Sequence, residues 1–518
     1  MKNIKKHNLN FINLFFPTIV LGAITGVFTS VVVNIYKFIA SHIIHFTEST
    51  YADFGEKLWL IPVIVVALVV ISVVFAIIYR KEPNLKGGGI PSSIAARRGI
   101  MKIKWVANLV GVFVLSLVSF LFGVPLGNEG PSVQMGTAAG AGISCLWQKK
   151  HKAWERYSMT GGACAGFSVA TGAPISGVVF AIEEAHRRIS PMILIVAGSS
   201  VMFAGLTTEI LAPVLGVSKS LFPEFALPVL SIKEVYIPLI VGLVCGIIAV
   251  LFLKLYCWLD ALYNKRMAKV PHQFKIFAVF AITVVAGAIS VNFISTGHEL
   301  VLHLFEHSMP LLMLIAILVV RALLTLSANT NGITGGIFLP LLALGAASAA
   351  IIANVGINYF SIDDKYYTII LVFGLVACIS AMMKMPLTSV VFAVEALGCY
   401  ENIVYVVLVA MVSYSLTEIF AVKSINDIVV EKREEQHYEL GPIKTLDMTV
   451  VVKEGAFAVG REISDVLWPL GLIVLSVQHE AAHGGSVLRC GDVLKLRCTT
   501  CDEAALKEEL DAIVGIQN

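Results

Sequence analysis

Gly127-Asn128-Glu129-Gly130-Pro131 (GNEGP) interrupts one apolar region, and Gly336-Ile337-Phe338-Leu339-Pro340 (GIFLP) interrupts another. The pairs Gly127/Gly336, Pro131/Pro340 and Gly136/Gly345 all stand 209 positions apart. A second echo follows each break: PISGVVFAIE at 174–183 reads against PLTSVVFAVE at 386–395, an offset of 212 that keeps Pro, Val-Val-Phe-Ala and Glu in register. Two related halves with interrupted apolar helices are a pattern of polytopic membrane proteins, and sites form where the broken helices meet.

The breaks have a direction. A third one, Gly87-Gly88-Gly89-Ile90-Pro91, shares with the other two a glycine followed by a proline. Glycine just outside and proline just inside mark a helix N-terminus. In lipid, a helix that starts within the membrane leaves N–H groups unpaired and carries about half a positive charge at that end. Such an end attracts anions. Three of them predict an anion pathway made from backbone, not from Lys or Arg, whose full charge would be costly to bury. Glycines that serve helix packing are the competing reading. It accounts for Gly136, Gly140 and Gly142, but not for prolines that follow glycines in mid-run.

Composition agrees. Of 518 residues, 57% are hydrophobic and 14% charged, where a soluble domain carries roughly a quarter charged residues; the mean hydropathy is +0.84. Apolar runs near the length of a span occupy 11–33, 58–78, 105–122, 191–210, 235–255, 274–294, 310–320 with its continuation, 367–381 and 404–421. The basic start at 1–6, followed by a long apolar run without a small-residue cleavage site, reads as an anchor. Lys and Arg gather in 80–104, 149–156, 187–188 and 265–275, so these loops and both chain termini are expected in the cytoplasm of a multi-pass cell-membrane protein. The net charge of +3 gives no sign of nucleic-acid binding, and nine scattered cysteines argue against a disulfide framework.

Glu129 is the leading candidate residue, a carboxylate in the first turn after a break with apolar sequence on both sides. Ionised, it is a tethered anion that occupies the helix-terminus site; protonated, it leaves and admits a mobile anion. The competing role is a simple helix cap. Glu183 and Glu184 end the apolar run before His186. Glu183 has a repeat partner in Glu395 and reads as structural, whereas Glu184 aligns with Ala396 and is the candidate for passing protons to the interior.

At these strings the chain resembles the CLC family of chloride channels and chloride/proton antiporters, over about residues 10–430. GxGIP matches 87–91, GxEGP matches 127–131 and GxFxP matches 336–340. The resemblance implies an all-α inverted repeat with broken helices (about 10–215 and 230–425) within a transport domain at 1–433, assembled as a homodimer. It also places the gating glutamate at Glu129 and the internal proton glutamate at Glu184. Anion ligands would come from Gly88, Gly89, Ile90, Asn128, Gly130, Ile337, Phe338, Leu339 and Asn426. No metal or organic cofactor is implied. The chain departs from the family pattern at three points: Gly88 stands for the usual central serine, Asn128 for a basic residue, and Asn426 for the central tyrosine. Two hydroxyl donors are thereby lost. The expectation is chloride/proton antiport, with a channel, a loosely coupled carrier, or a preference for fluoride or nitrate as alternatives, and a membrane sensor as the alternative of another class.

From 434 the composition turns soluble. Runs at 449–453, 472–477, 487–490 and 493–497 read as strands and 502–514 as a helix, making a small α+β domain. The tail at 434–518 is similar to RCK_C (TrkA-C-like) modules, on the strings 458–463, 471–476 and 490–496; this implies cytosolic regulation and a small ligand such as a nucleotide. His479-Glu480-Ala481-Ala482-His483 fits a zinc-protease string, but it lies between a strand-like run and Gly484-Gly485, where a hairpin is expected instead of the required helix. Cys498 and Cys501, with Cys490 and His483, make only a weak metal or redox signal.

Overall fold

The computed structural model describes residues 15–55, 59, 61–147, 152–186, 190–438 and 443–515. The basic start at 1–6 and the basic pairs Lys149-Lys150 and Arg187-Arg188 lie outside these residues.

The first half contains α1 (Phe16–Ala52), α2 (Ile61–Lys81), α3 (Gly89–Arg98), α4 (Trp105–Leu121), α5 (Glu129–Trp147), α6 (Lys152–Thr171), α7 (Pro174–Phe180) and α8 (Pro191–Leu215). The second contains α9 (Tyr236–Arg266), α10 (His272–Ile289), α11 (His298–Glu306), α12 (Leu311–Thr330), α13 (Phe338–Phe360), α14 (Tyr367–Met382), α15 (Pro386–Leu397), α16 (Ile403–Ile419) and α17 (Ile425–Tyr438). Eight helices among the described residues are long and apolar enough to cross a membrane. One of them, α13, was not among the expected runs, because its first turn carries the Gly336–Pro340 break; it is nevertheless among the most enclosed. The outward face of α2 exposes Val63, Val66, Val70, Val73 and Ile77, as a lipid-facing helix does.

Small residues bring the central helices together. A Cβ on Gly136 of α5 would collide with the carbonyl of Gly162 on α6, and one on Gly162 with that of Gly136, so backbone meets backbone there. The two halves touch through their matching segments. Gly127 and Gly336 form an antiparallel bridge, with N···O distances of 2.6 and 2.8 Å. Glu183 accepts from the N–H groups of Leu387 and Thr388 at the start of α15, at 2.8 and 2.7 Å. Glu395 does the same for Ile175 and Ser176 at the start of α7, at 2.7 and 2.8 Å. Each carboxylate caps the opposite helix, whose first turn has donors to spare and a positive dipole end.

Helix α17 runs through the composition shift at 431–436 without a break. The domain beyond it is a four-stranded antiparallel sheet in the order β1-β4-β2-β3, formed by β1 (Lys444–Val451), β2 (Leu472–Val477), β3 (Glu480–Ala481) and β4 (Val493–Thr500), with α18 (Glu503–Val514). In β4, Leu494, Leu496 and Cys498 point inward while Lys495 and Arg497 point out. Leu506, Leu510, Ile513 and Val514 give α18 its buried stripe. The expected strand at 487–490 is reduced to an isolated bridge between Glu462 and Val487, because Gly491 turns the chain with φ of 89°. Residues 479–483 lie at the β2–β3 hairpin, with Gln478 and His479 in the left-handed region, so the two histidines do not share a helix face. Among the described residues no group of His, Cys, Asp and Glu is placed to hold a metal.

Candidate functional site

The three glycine–proline breaks converge. Gly88 is the N-cap of α3, with Gly89 and Ile90 in its first turn; Glu129 and Gly130 open α5; Ile337 is the N-cap of α13, with Phe338 and Leu339 its first residues. A Cβ on Gly89 would collide with the carbonyl of Gly130. A Cβ on Gly130 would stand 2.5 Å from Gly336 Cα, 3.2 Å from Gly89 N and 3.3 Å from Gly336 N. Only glycine allows this approach, and it gathers three helix N-termini at one place. Ile90, Ile337, Phe338 and Leu339 are all buried there. The Phe338 ring is anchored edge-on against Phe167 at 5.3 Å and Phe392 at 5.5 Å, which fixes the first turn of α13.

Glu129 lies inside this junction and is fully buried, with no hydrogen-bond partner on either carboxylate oxygen among the described residues. A Cβ on Gly127 would collide with its Oε2 and come within 3.4 Å of the Leu339 nitrogen, so the carboxylate lies beside the N-terminus of α13. An orphaned carboxylate is costly to bury. At this position a change of protonation or of place relieves the cost, which is what a gate requires. Asn128 is half-buried and its carbonyl accepts from Ser132, while its Oδ1 is buried without a donor.

Glu184 is 1% exposed, in a single wide turn (Ala181–His186) that continues α7. Its Oε1 accepts from Asn426 Nδ2 at 2.9 Å. The residue aligned with the family's central tyrosine therefore has an amide proton engaged by the internal carboxylate, and its Oδ1 is buried without a partner. Helix α17, which carries Asn426, is tied to the start of α3: Arg433 donates to the Lys86 carbonyl at 2.6 Å and to Ser92 Oγ at 2.9 Å.

Several polar residues at the site escaped the sequence reading. Asn329, near the end of α12, places its Nδ2 3.6 Å from where a Gly88 Cβ would stand, and its Oδ1 accepts from the Tyr256 hydroxyl at 2.9 Å. Two buried cations donate to backbone carbonyls: Lys37 to Val169 and Ser218, and Arg321, through its two terminal nitrogens, to Asn292, Ile294 and Ser295. A cavity of about 900 Å³ leads toward Gly87 and Asn329 and is lined by Lys86, Lys102, Lys275, Lys432 and Arg433. The basic segments 80–104 and 265–275 thus share one face. The one sequence signal for Asn329 is the cluster of polar residues at 327–331, just ahead of the Gly336–Pro340 break.

Three helix N-termini around a buried carboxylate lie within a polytopic helical fold, and the molecule is of the class of multi-pass membrane proteins with broken helices. Comparison with known proteins gives it a family: the family described as voltage gated chloride channel matches residues 67–418, and the chain belongs to it. The H(+)/Cl(-) exchange transporter ClcA of Vibrio cholerae serotype O1 (strain ATCC 39541) is 25% identical over 420 residues, covering 77% of this chain and 85% of the relative. The fold is similar to that of a slow cyanobacterial Cl-/H+ antiporter, with a TM-score of 0.72 and 22% identity over 81% of this chain and 98% of that one. It is also similar to a CLC-type fluoride/proton antiporter, with a TM-score of 0.63 and 18% identity over 78% of this chain and 96% of that one.

Proposed function

We propose that this protein exchanges chloride for protons across a membrane, with Glu129 as gate and proton carrier and Glu184 as the internal proton group. One observation carries the reading: the buried, unpartnered Glu129 carboxylate lies where the N-termini of α3, α5 and α13 meet. Three N–H-rich ends bind an anion without a full positive charge, so the anion is held yet released. An ionised Glu129 competes for that place; a protonated one yields it, carrying a proton as it moves. The exchange activities named for the bacterial relative and for the cyanobacterial structure support the same assignment.

Liposomes containing the purified protein test it. A chloride gradient drives protons uphill with wild type, and Glu129→Gln abolishes that proton movement whatever it does to chloride flux. Proton pumping retained in the variant overturns the role of Glu129. A loosely coupled carrier is the second reading, favoured by the missing hydroxyls at Gly88 and Asn426; it predicts chloride flux with a weak proton gradient in the same assay.

The protein works as a homodimer with one pathway per subunit, with 1–433 as the transport domain and both termini in the cytoplasm. The tail at 434–518 acts as an RCK_C-like module that takes a small cytosolic ligand such as a nucleotide and regulates transport. Arg156 in the first turns of α6, which donates to the Trp468 carbonyl at 2.6 Å and pairs with Glu509 at 2.6 Å, supports the coupling.

A further inference from the structure

Gly88 leaves room for a small side chain at the start of α3, and a side chain from elsewhere borders it. Its φ of −69° and ψ of 139° are open to any L-residue, and the nearest heavy atoms to a Cβ there are Asn329 Nδ2, Gly335 O and Pro91 Cδ, each at 3.6 Å. The space of a small side chain is therefore present, and a primary amide borders it. Asn329 is 7% exposed and faces the same cavity as Gly87 and Tyr256. Among the described residues its Nδ2 has no acceptor, while its Oδ1 accepts from Tyr256. Tyr256 is itself 3% exposed and belongs to α9, packed against the end of α12. A hydroxyl that donates to Oδ1 fixes which end of the amide is which and leaves Nδ2 on the Gly88 side. The backbone holds Asn329 in place as well: Gly332 N donates to its carbonyl at 2.9 Å, in the turn that leads to the α13 break.

We infer that Asn329 is the side-chain anion ligand at the cavity end of the site, with Tyr256 as the positioning residue that aims its amide. The inference deepens the proposed function and rests on it. An amide donor has the right chemistry for a small anion: it offers N–H groups and no charge, so it holds the ion less tightly than a lysine or arginine would. A spherical chloride and a planar nitrate meet an amide N–H with different geometry, so the ratio of nitrate to chloride should depend on Asn329.

The test uses the full chain, purified, with chloride and nitrate as probes. Two readouts are taken: anion affinity by titration calorimetry, and the nitrate-to-chloride flux ratio in liposomes. Asn329→Ala weakens chloride binding about tenfold, the scale of one hydrogen bond to an ion, and changes the flux ratio. Tyr256→Phe keeps the ring and shifts the flux ratio in the same direction by a smaller factor. Gly88→Ser added to Asn329→Ala restores chloride affinity to within about threefold of wild type, because the new hydroxyl stands in the gap that the amide bordered. Unchanged affinity and flux ratio in a monodisperse Asn329→Ala protein overturn the inference, and so does a loss that Gly88→Ser leaves unrepaired. If wild type binds chloride but moves none, the exchange reading fails, while the calorimetric arms still decide the role of Asn329.

Discussion

Asn426 and Glu184 meet 2.9 Å apart in a place closed to water, although 242 positions separate them in the chain. A donor on a carboxylate in such surroundings is worth about 1.5–3 kcal/mol, far more than on a wet surface. Asn426→Leu fills similar space and removes the donor. If the amide serves Glu184, proton flux falls about tenfold relative to chloride flux, and chloride affinity is unchanged. If it serves chiefly as an anion ligand, affinity falls and the coupling ratio holds. Paired proton and chloride flux measurements decide between them. Legibility at this scale followed chemical contrast. Glu129 stood out because a carboxylate in an apolar run is expensive, and the breaks stood out because glycine and proline have few other uses there. Asn329 and Tyr256 did not. A polar residue near a helix end is ordinary, and their bond joins positions 73 apart that only the folded helices bring together.

At the scale of elements, the two short helices α7 and α15 explain why a repeat is worth keeping. Each begins with proline, which supplies no N–H, and the next two N–H groups of each go to the glutamate that ends the matching segment. Thr388 and Ser176 add their hydroxyls, at 2.7 and 2.8 Å. Since the two contacts are near copies, removing either carboxylate leaves the same donors stranded. Glu183→Ala and Glu395→Ala are each expected to cost about 1–2 kcal/mol, the scale of a lost charged cap. The two losses should match closely in the fraction of protein that stays monodisperse after heating. A clear inequality would mean that one of the pair has another task. The sequence offset of 212 announced that these segments correspond; that each caps the other is a fact of three-dimensional pairing, which a one-dimensional repeat does not contain. The strand expected at 487–490 shows the opposite limit: its side chains suit a sheet, but Gly491 and Asp492 turn the chain before a ladder forms.

For the whole molecule, the question is whether the sheet domain communicates with the pathway. It rests on the first turns of α6. Arg156 donates to the Trp468 carbonyl at 2.6 Å and pairs with Glu509 at 2.6 Å. The Tyr157 hydroxyl donates to the Asp465 carbonyl, and Ser190 Oγ, just before α8, donates to Asp465 Oδ1 at 2.6 Å. Phe457 stands edge-on to Trp154 at 5.1 Å, with the Arg461 guanidinium 3.6 Å over its ring. Burial among these rings holds that guanidinium down to about 10, below the usual arginine range. Ser190 stands six positions after Glu184 in the sequence. Arg156 is the residue to remove, since it joins both a carbonyl and a carboxylate of the domain from the membrane side. Arg156→Ala should loosen the contact by about 2 kcal/mol, read as faster amide hydrogen exchange across 463–470. If the domain governs transport through this contact, the same variant changes chloride turnover while leaving chloride affinity as it was. Faster exchange with unaltered turnover would leave the domain docked for stability alone, and unaltered exchange would mean that Trp154, Tyr157 and Ser190 hold it without Arg156.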